Sequence, residues 1–170
     1  MNLKFILKLT LFSVFFFLFQ SCIVSSKPNI AYFKGAKSTN SKAEFTSVNL
    51  PLFLAKPMIK KALRSEGDKN AQEIIAIIKK ISKVKILTVE NGDETLVKNF
   101  ASYLINNNYE DWVSIKHDGE NVNIKAQQNG DFIKKLMLTV NSGNELVFID
   151  IRGKFTPEDI SNLINAANKN

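Results

Sequence analysis

Few residues in this sequence are of types that could do chemistry. Its 170 residues include one cysteine, Cys22, and one histidine, His117. His117 stands beside Asp118 and Glu120, which makes this cluster a candidate for a lone general base or a weak metal site. Catalytic zinc needs three protein ligands, so a solvated turn is the favoured interpretation. We expect neither a metal nor a cofactor.

Adjacent carboxylates occur at three places and do not by themselves indicate hydrolysis. The pairs are Asp93-Glu94, Glu110-Asp111 and Glu158-Asp159. Two of them stand at predicted helix starts, where carboxylates cap the helix and offset its dipole. Glycoside hydrolysis requires two carboxylates across a cleft, which neighbours in sequence cannot show. We therefore expect a protein that is not an enzyme.

Cys22 ends an apolar segment that has the features of an export signal. Lys4 and Lys8 give it a positive start, and Leu9 to Phe19 form an apolar core of the length typical of signal peptides. Crossing a bilayer takes roughly 20 apolar residues, more than this core offers. The pattern predicts that residues 1–21 are a signal peptide removed by cleavage.

The residues around Cys22 resemble a bacterial lipobox, in which a small residue precedes a lipidated cysteine. Ser21 is that small residue, and Phe19 stands where the usual pattern has an aliphatic side chain. The resemblance implies a thioether-linked diacylglycerol on Cys22 and an amide-linked third chain. Two or three acyl chains hold a protein durably to a bilayer. The alternative is a plain secretory signal with a cysteine nearby.

Composition divides the exported chain into a tether and one domain. Residues 22–42 are rich in Ser, Lys and Asn, which predicts a lipidated N-terminus and a flexible tether. Residues 43–170 are long enough for a single domain with its own core. Ile23 is not the aspartate that retains some bacterial lipoproteins in the inner membrane. We therefore expect an outer-membrane site facing the periplasm.

The charge pattern narrows the class of partner. Removal of residues 1–21 takes away two lysines and leaves 21 basic against 16 acidic residues. These lysines are scattered, without a basic stripe or interleaved stacking aromatics, so we do not expect nucleic acid. The expected partners are the membrane, through the lipid on Cys22, and an envelope protein or a lipid.

Hydrophobic periodicity predicts an α+β domain. The first half has short strands and three helices, of which the helix over 51–63 is expected to be bent or broken at Pro57. In the second half, Asp118-Gly119 and Asn129-Gly130 are hairpin signals that join strands into a four-strand meander. Thr156 and Pro157 start a final helix. The predicted order is β-α-α-β-α-β-β-β-β-α, a mixed, largely antiparallel sheet with helices packed on one face.

Strand alternation assigns the meander residues to two faces. One face carries the predicted core, formed by Val122, Ile124, Ala126, Leu136, Leu138, Val140, Val147, Ile149 and Ile151. The opposite face is a candidate binding face, formed by Trp112, Lys125, Lys135, Met137, Phe148, Asp150 and Arg152. Either the helix over 51–63 covers this second set, or it is open and binds a peptide, an envelope protein or a lipid.

The segment from Gly119 to Leu163 resembles the DUF4252 family of small bacterial lipoproteins, whose function is unknown. The resemblance is carried by Glu120-Asn121-Val122, by the strand "NELVFIDIRG", and by Asp159-Ile160 with Leu163. It implies the fold and the membrane compartment, and it brings no catalytic motif.

These observations lead to one main expectation about function. We expect a membrane-anchored envelope lipoprotein that acts as a non-enzymatic binding module through its sheet face. The alternatives are a periplasmic small-molecule binder or hydrolase centred on His117, and a regulatory component of envelope signalling.

Overall fold

A computed structural model describes residues 23–34, 42–65, 71–117, 120–143 and 145–167 of the chain. Seven strands form one antiparallel sheet in the order β1-β2-β3-β7-β6-β5-β4. The strands are β1 (Val24–Ser25), β2 (Glu44–Asn49), β3 (Ile81–Glu90), β4 (Glu110–His117), β5 (Glu120–Asn129), β6 (Phe132–Ser142) and β7 (Glu145–Phe155). The helices are α1 (Leu52–Ser65), α2 (Ala71–Lys80), α3 (Glu94–Asn106) and α4 (Pro157–Ala167).

From β2 onward, the element order is the predicted one, and the α+β class is confirmed. Strands β4 to β7 form the predicted meander, in which each strand pairs with the next along the chain. Gly130 has φ +60° in the turn between β5 and β6, a conformation that glycine adopts without strain. The turn at Asp118-Gly119 lies outside the described residues.

Local sequence signals fix the helix ends. The Leu96 amide donates a 2.7 Å hydrogen bond to Asp93 Oδ1 at the start of α3. At the start of α4, the Thr156 amide donates to Asp159 Oδ2 at 2.7 Å, and the Asp159 amide donates to Thr156 Oγ1 at 3.2 Å. This reciprocal arrangement satisfies two backbone donors at once.

Two elements, α1 and β3, differ from the sequence prediction. Helix α1 runs without a break from Leu52 to Ser65, with Pro57 inside it. Pro57 lies in the second turn, where a proline removes one backbone donor but need not end the helix. Strand β3 begins at Ile81 rather than Val84, directly after α2 ends at Lys80. Pairing with β7 recruits these extra residues into the strand.

The first face of the sheet, which carries Met137 and Phe148, is sealed by α3 and by a 3-10 turn at Ala31–Lys34. Phe33 from the turn and Phe100 from α3 both pack on Phe148, with ring centroids 4.7 and 4.9 Å apart. Phe33 and Phe148 have no exposed surface. Aromatic packing of this kind supplies much of the buried apolar area of a small domain.

The second face, which carries Leu136 and Ile151, is covered at one end by α2 and α4. Ile77 of α2 and Ile160 of α4 pack there with Ile133 and Phe155. Of the nine predicted core residues, Ala126 and Leu136 are buried and the other seven are half-buried. The helices therefore pack on both faces of the sheet, whereas the sequence predicted one. Helix periodicity shows which side of a helix is apolar, and it does not show which sheet face receives it.

Residues 23–34 lie against the sheet, which differs from the flexible tether predicted for residues 22–42. Strand β1 pairs with β2, and the Ser47 hydroxyl donates to the backbone oxygens of Ser25 and Lys27 at 3.1 and 2.7 Å. The side-chain Nδ2 of Asn29 donates to the carbonyls of Val48 and Ile86 at 3.0 and 3.1 Å. A polar composition favoured a tether, but Phe33 brings enough apolar surface to dock the segment.

Candidate functional site

The predicted binding face does not form one surface in the structure. Met137 and Phe148 are 3% and 0% exposed, because α3 and the turn at Ala31–Lys34 cover them. The helix expected to provide such a cover, over residues 51–63, packs beside α2 instead. The apolar part of the predicted face is therefore core and cannot meet a partner.

Two other predicted residues are separated from any open site. Trp112 packs on the second face, because a β-bulge between Asp111 and Val113 shifts the register by one residue and reverses its direction. Lys125 is 11% exposed and forms an ion pair with Asp111 on the neighbouring strand. The structure therefore assigns Trp112 to the opposite face and Lys125 to a cross-strand pair.

The remaining predicted residues do come together at the polar end of the first face. Lys83, Arg152 and Lys135 occupy one row across β3, β7 and β6. Lys85 and Asp150 are paired in the next row. Neighbours in such rows lie within about 4.5–5.5 Å at their β-carbons. We call Lys83, Lys85, Lys135, Asp150, Arg152 and the adjacent Tyr109 the polar end.

Asp150 is the most deeply buried charged residue in this group, at 4% exposed. Its Oδ2 accepts a 3.3 Å hydrogen bond from Arg152 Nη2. Its Oδ1 accepts none from the described residues, and Arg152 Nε, also buried, donates none to them. An adjacent buried acceptor and donor without protein partners carry a desolvation cost, which a water or a ligand bonded to them would offset.

Lys85 extends the polar end toward the N-terminal segment. Its Nζ donates a 2.6 Å hydrogen bond to the backbone oxygen of Asn29. Burial lowers the pKa of Lys85, and the nearby cations Lys83 and Arg152 lower it further, against the opposing effect of Asp150. Four cations therefore surround a single carboxylate, which gives this end of the sheet a positive potential.

Tyr109 follows α3 and borders the same group. Burial raises the pKa of Tyr109 to about 12, and the Asp150 carboxylate adds to the rise. The phenol is therefore neutral at physiological pH and can donate or accept a hydrogen bond. The polar end thus combines a buried acid, basic side chains and one neutral hydroxyl.

The other sequence candidates contribute less to a site. His117 ends β4 and pairs with Glu120 of β5, while its side chain and Asp118 lie outside the described residues. Cys22 also lies outside them. Within the described part of the chain, no three His, Cys, Asp or Glu side chains are grouped as metal ligands. None of the described helices is long and apolar enough to cross a membrane.

Sequence reasoning missed Lys83, Lys85 and Tyr109 of the polar end, and Asn29, whose backbone oxygen accepts from Lys85. Lys85 did carry a signal, since it lies on the inward side of an otherwise apolar strand, "VKILTV", where a lysine must find a polar neighbour. Nothing in the sequence linked Tyr109 or Asn29 to Asp150. Tyr109 reaches the polar end because it directly follows α3. Asn29 approaches it from the segment that precedes the 3-10 turn.

Comparison with known proteins places the fold in a family. The model of the family described as Domain of unknown function (DUF4252) matches residues 37–163, which confirms the resemblance seen in the sequence. No curated protein and no solved structure matches the chain. The match begins after Phe33, so part of the sealed core lies upstream of the matched region.

Proposed function

The chain belongs to the DUF4252 family, a domain family of unknown function, and we propose that it is a non-enzymatic binding module of the bacterial envelope. In this proposal, a lipid on Cys22 anchors the protein to the outer membrane, and the domain faces the periplasm. The polar end binds an anionic group carried by an envelope protein or a lipid partner.

The observation that carries this proposal is the composition of the polar end. Lys83, Lys85, Lys135 and Arg152 lie around Asp150, so the local charge favours an anion. Arg152 Nε, a buried donor, makes no hydrogen bond to the described residues. A planar guanidinium and flexible ammonium groups are a common combination for binding carboxylate or phosphate.

The test uses crosslinking and affinity capture from intact cells expressing the tagged lipoprotein. The informative variant is the Lys83→Gln/Lys135→Gln double change, because it removes two cations and leaves the Asp150–Arg152 pair in place. A matched control is Lys98→Gln/Lys116→Gln, since both lysines are exposed and lie outside the polar end. Cys22→Ala removes the anchor and serves as the localisation control.

We expect one specific species to be captured by the wild type and the matched control. Its yield should fall about tenfold in Lys83→Gln/Lys135→Gln, which corresponds to a loss of about 1.4 kcal/mol in the free energy of binding. It should also be lost in Cys22→Ala. An unchanged yield in the double variant would contradict the polar end as the binding site. No captured species from any lipidated form would favour the small-molecule alternative.

A further inference from the structure

Helix α1 presents an apolar side to solvent. Phe53, Leu54 and Met58 are 76%, 52% and 71% exposed, and Phe53 and Met58 are the most exposed of the large apolar side chains in the described part of the chain. Leu54 and Met58 are four residues apart and therefore share one side of the helix. Helices of a soluble domain normally turn such residues toward the core.

The orientation of α1 is fixed by contacts on the side away from Leu54 and Met58. Lys56 Nζ donates to the backbone oxygens of Lys79 and Ile81 at 3.2 and 2.5 Å. These two acceptors lie at the junction of α2 and β3, where α1 packs against both elements. The outward direction of Leu54 and Met58 is therefore part of the packed fold.

The exposed side of α1 lies close to the start of the described chain. The Asn49 amide donates a 2.9 Å hydrogen bond to the backbone oxygen of Ile23, the residue that follows Cys22. Phe53 comes four residues after Asn49, a reach of at most about 14 Å. Ile23 and Val24 are themselves 36% and 52% exposed, so further exposed apolar side chains stand near the chain end.

The charges of α1 complement a membrane surface. Apart from Lys56, which is bonded to the domain, the helix carries Lys60, Lys61 and Arg64, and it contains no acidic residue. Helices that lie in a membrane interface combine exposed apolar side chains with lysine and arginine, which contact anionic headgroups.

We propose that α1 lies in the headgroup layer of the membrane that holds Cys22, with Phe53, Leu54 and Met58 inserted among the lipids. This inference rests on the proposed anchor at Cys22. Because Ile23 is held to β2 rather than placed at the end of a long tether, the lipid draws this side of the domain to the bilayer. The sheet then has a defined orientation relative to the membrane.

A single thiol tests the proposal in the lipidated full chain. Cys22 is the only cysteine and its sulfur carries the lipid in the anchored protein, so Met58→Cys creates one free thiol. The matched control is Ile105→Cys, at a residue 59% exposed at the end of α3. Each thiol is labelled with an environment-sensitive fluorophore, and the protein is reconstituted in vesicles of phosphatidylethanolamine and phosphatidylglycerol.

We expect quenching by aqueous iodide to be about threefold or more weaker at position 58 than at position 105. Lipid-borne nitroxide should quench the label at position 58 alone. Equal aqueous quenching at both positions in vesicle-bound protein overturns the proposal. Protection of position 58 in native membranes but not in pure lipid vesicles also overturns it, in favour of a protein partner.

The anchor is tested separately in the same samples. Mass measurement of the mature N-terminus reports whether Cys22 carries acyl chains. A chain without acyl groups contradicts the proposed anchor, and with it the orientation at the membrane. An acylated chain with an exposed α1 contradicts only the inference about the helix.

Discussion

The two ends of the first sheet face differ in how their side chains are covered. At one end, Phe33 and Phe100 seal Phe148 against solvent, and the ring centroids of Phe33 and Phe100 lie 4.8 Å apart. At the other, Asp150 is equally inaccessible but keeps an oxygen without a protein partner. Complete burial of apolar groups is favourable in free energy, whereas burial of a polar group is costly unless its hydrogen bonds are made. The polar end, where a buried carboxylate oxygen lacks a hydrogen-bond partner, is therefore the better candidate for binding.

The largest effect should come from the sealed end. Phe33→Ala removes a fully buried ring that contacts Phe45, Phe100 and Phe148. We expect the free energy of unfolding to fall by about 3–5 kcal/mol, measured by chemical denaturation. Lys34→Ala, at an exposed neighbour in the same turn, is the control and should change stability by less than about 0.5 kcal/mol. A loss below about 1 kcal/mol for Phe33→Ala would show that residues 30–34 are peripheral to the core.

A smaller effect should follow at the polar end. Arg152→Met keeps the apolar stem of the side chain but leaves the buried Asp150 carboxylate without the ion pair it makes with Arg152. We expect a loss of about 1–3 kcal/mol in the free energy of unfolding. Combining it with Asp150→Asn should recover part of this loss, which a double-mutant cycle measures. Additive effects of the two changes would mean that Asp150 and Arg152 do not interact.

The smallest effect concerns the phenol that borders the polar end. The pKa of Tyr109 is about 12 in the folded chain, against about 10 in an unfolded one. The unfolded chain therefore loses this proton first as pH rises, so stability is complete below about pH 10 and declines toward pH 12. We expect the decline to amount to about 1 kcal/mol, after allowance for screening by solvent at a half-buried site.

Tyr109→Phe should remove this part of the high-pH decline, because phenylalanine has no proton to release. The measurement is the free energy of unfolding of both proteins at several pH values from 8 to about 12. Superimposable pH curves for Tyr109→Phe and the wild type would contradict the burial of the Tyr109 phenol beside Asp150.

The meander and the helix caps could be predicted because their determinants are local. Asn129-Gly130 specifies a tight turn through backbone conformation alone, and Thr156 with Asp159 caps a helix within one turn of chain. Alternation along β6 and β7 also separated Leu136 from Met137 correctly, since neighbouring strand residues point to opposite faces. None of these inferences required knowledge of distant contacts.

The candidate site could be predicted only in part, because it also depends on contacts between residues that are far apart in the sequence. Lys135, Asp150 and Arg152 were placed on one face from alternation, and the structure keeps them together. Trp112 was misplaced because a β-bulge in β4 has no clear sequence signature here. Lys85 joins the group only because β3 pairs with β7 across a crossover, a pairing between residues more than 60 positions apart.

By itself, the sequence determined the α+β class, the element order and the division of β6 and β7 residues between two faces, since each depends on interactions within a few residues. The tertiary structure decided which face each helix covers, and so which residues are core. Helix α3 and Phe33 closed the face that alternation left as a binding surface, because burying Met137 and Phe148 there stabilises the fold. What stayed accessible on that face are basic side chains of the polar end such as Lys83 and Arg152, where desolvation opposed closure.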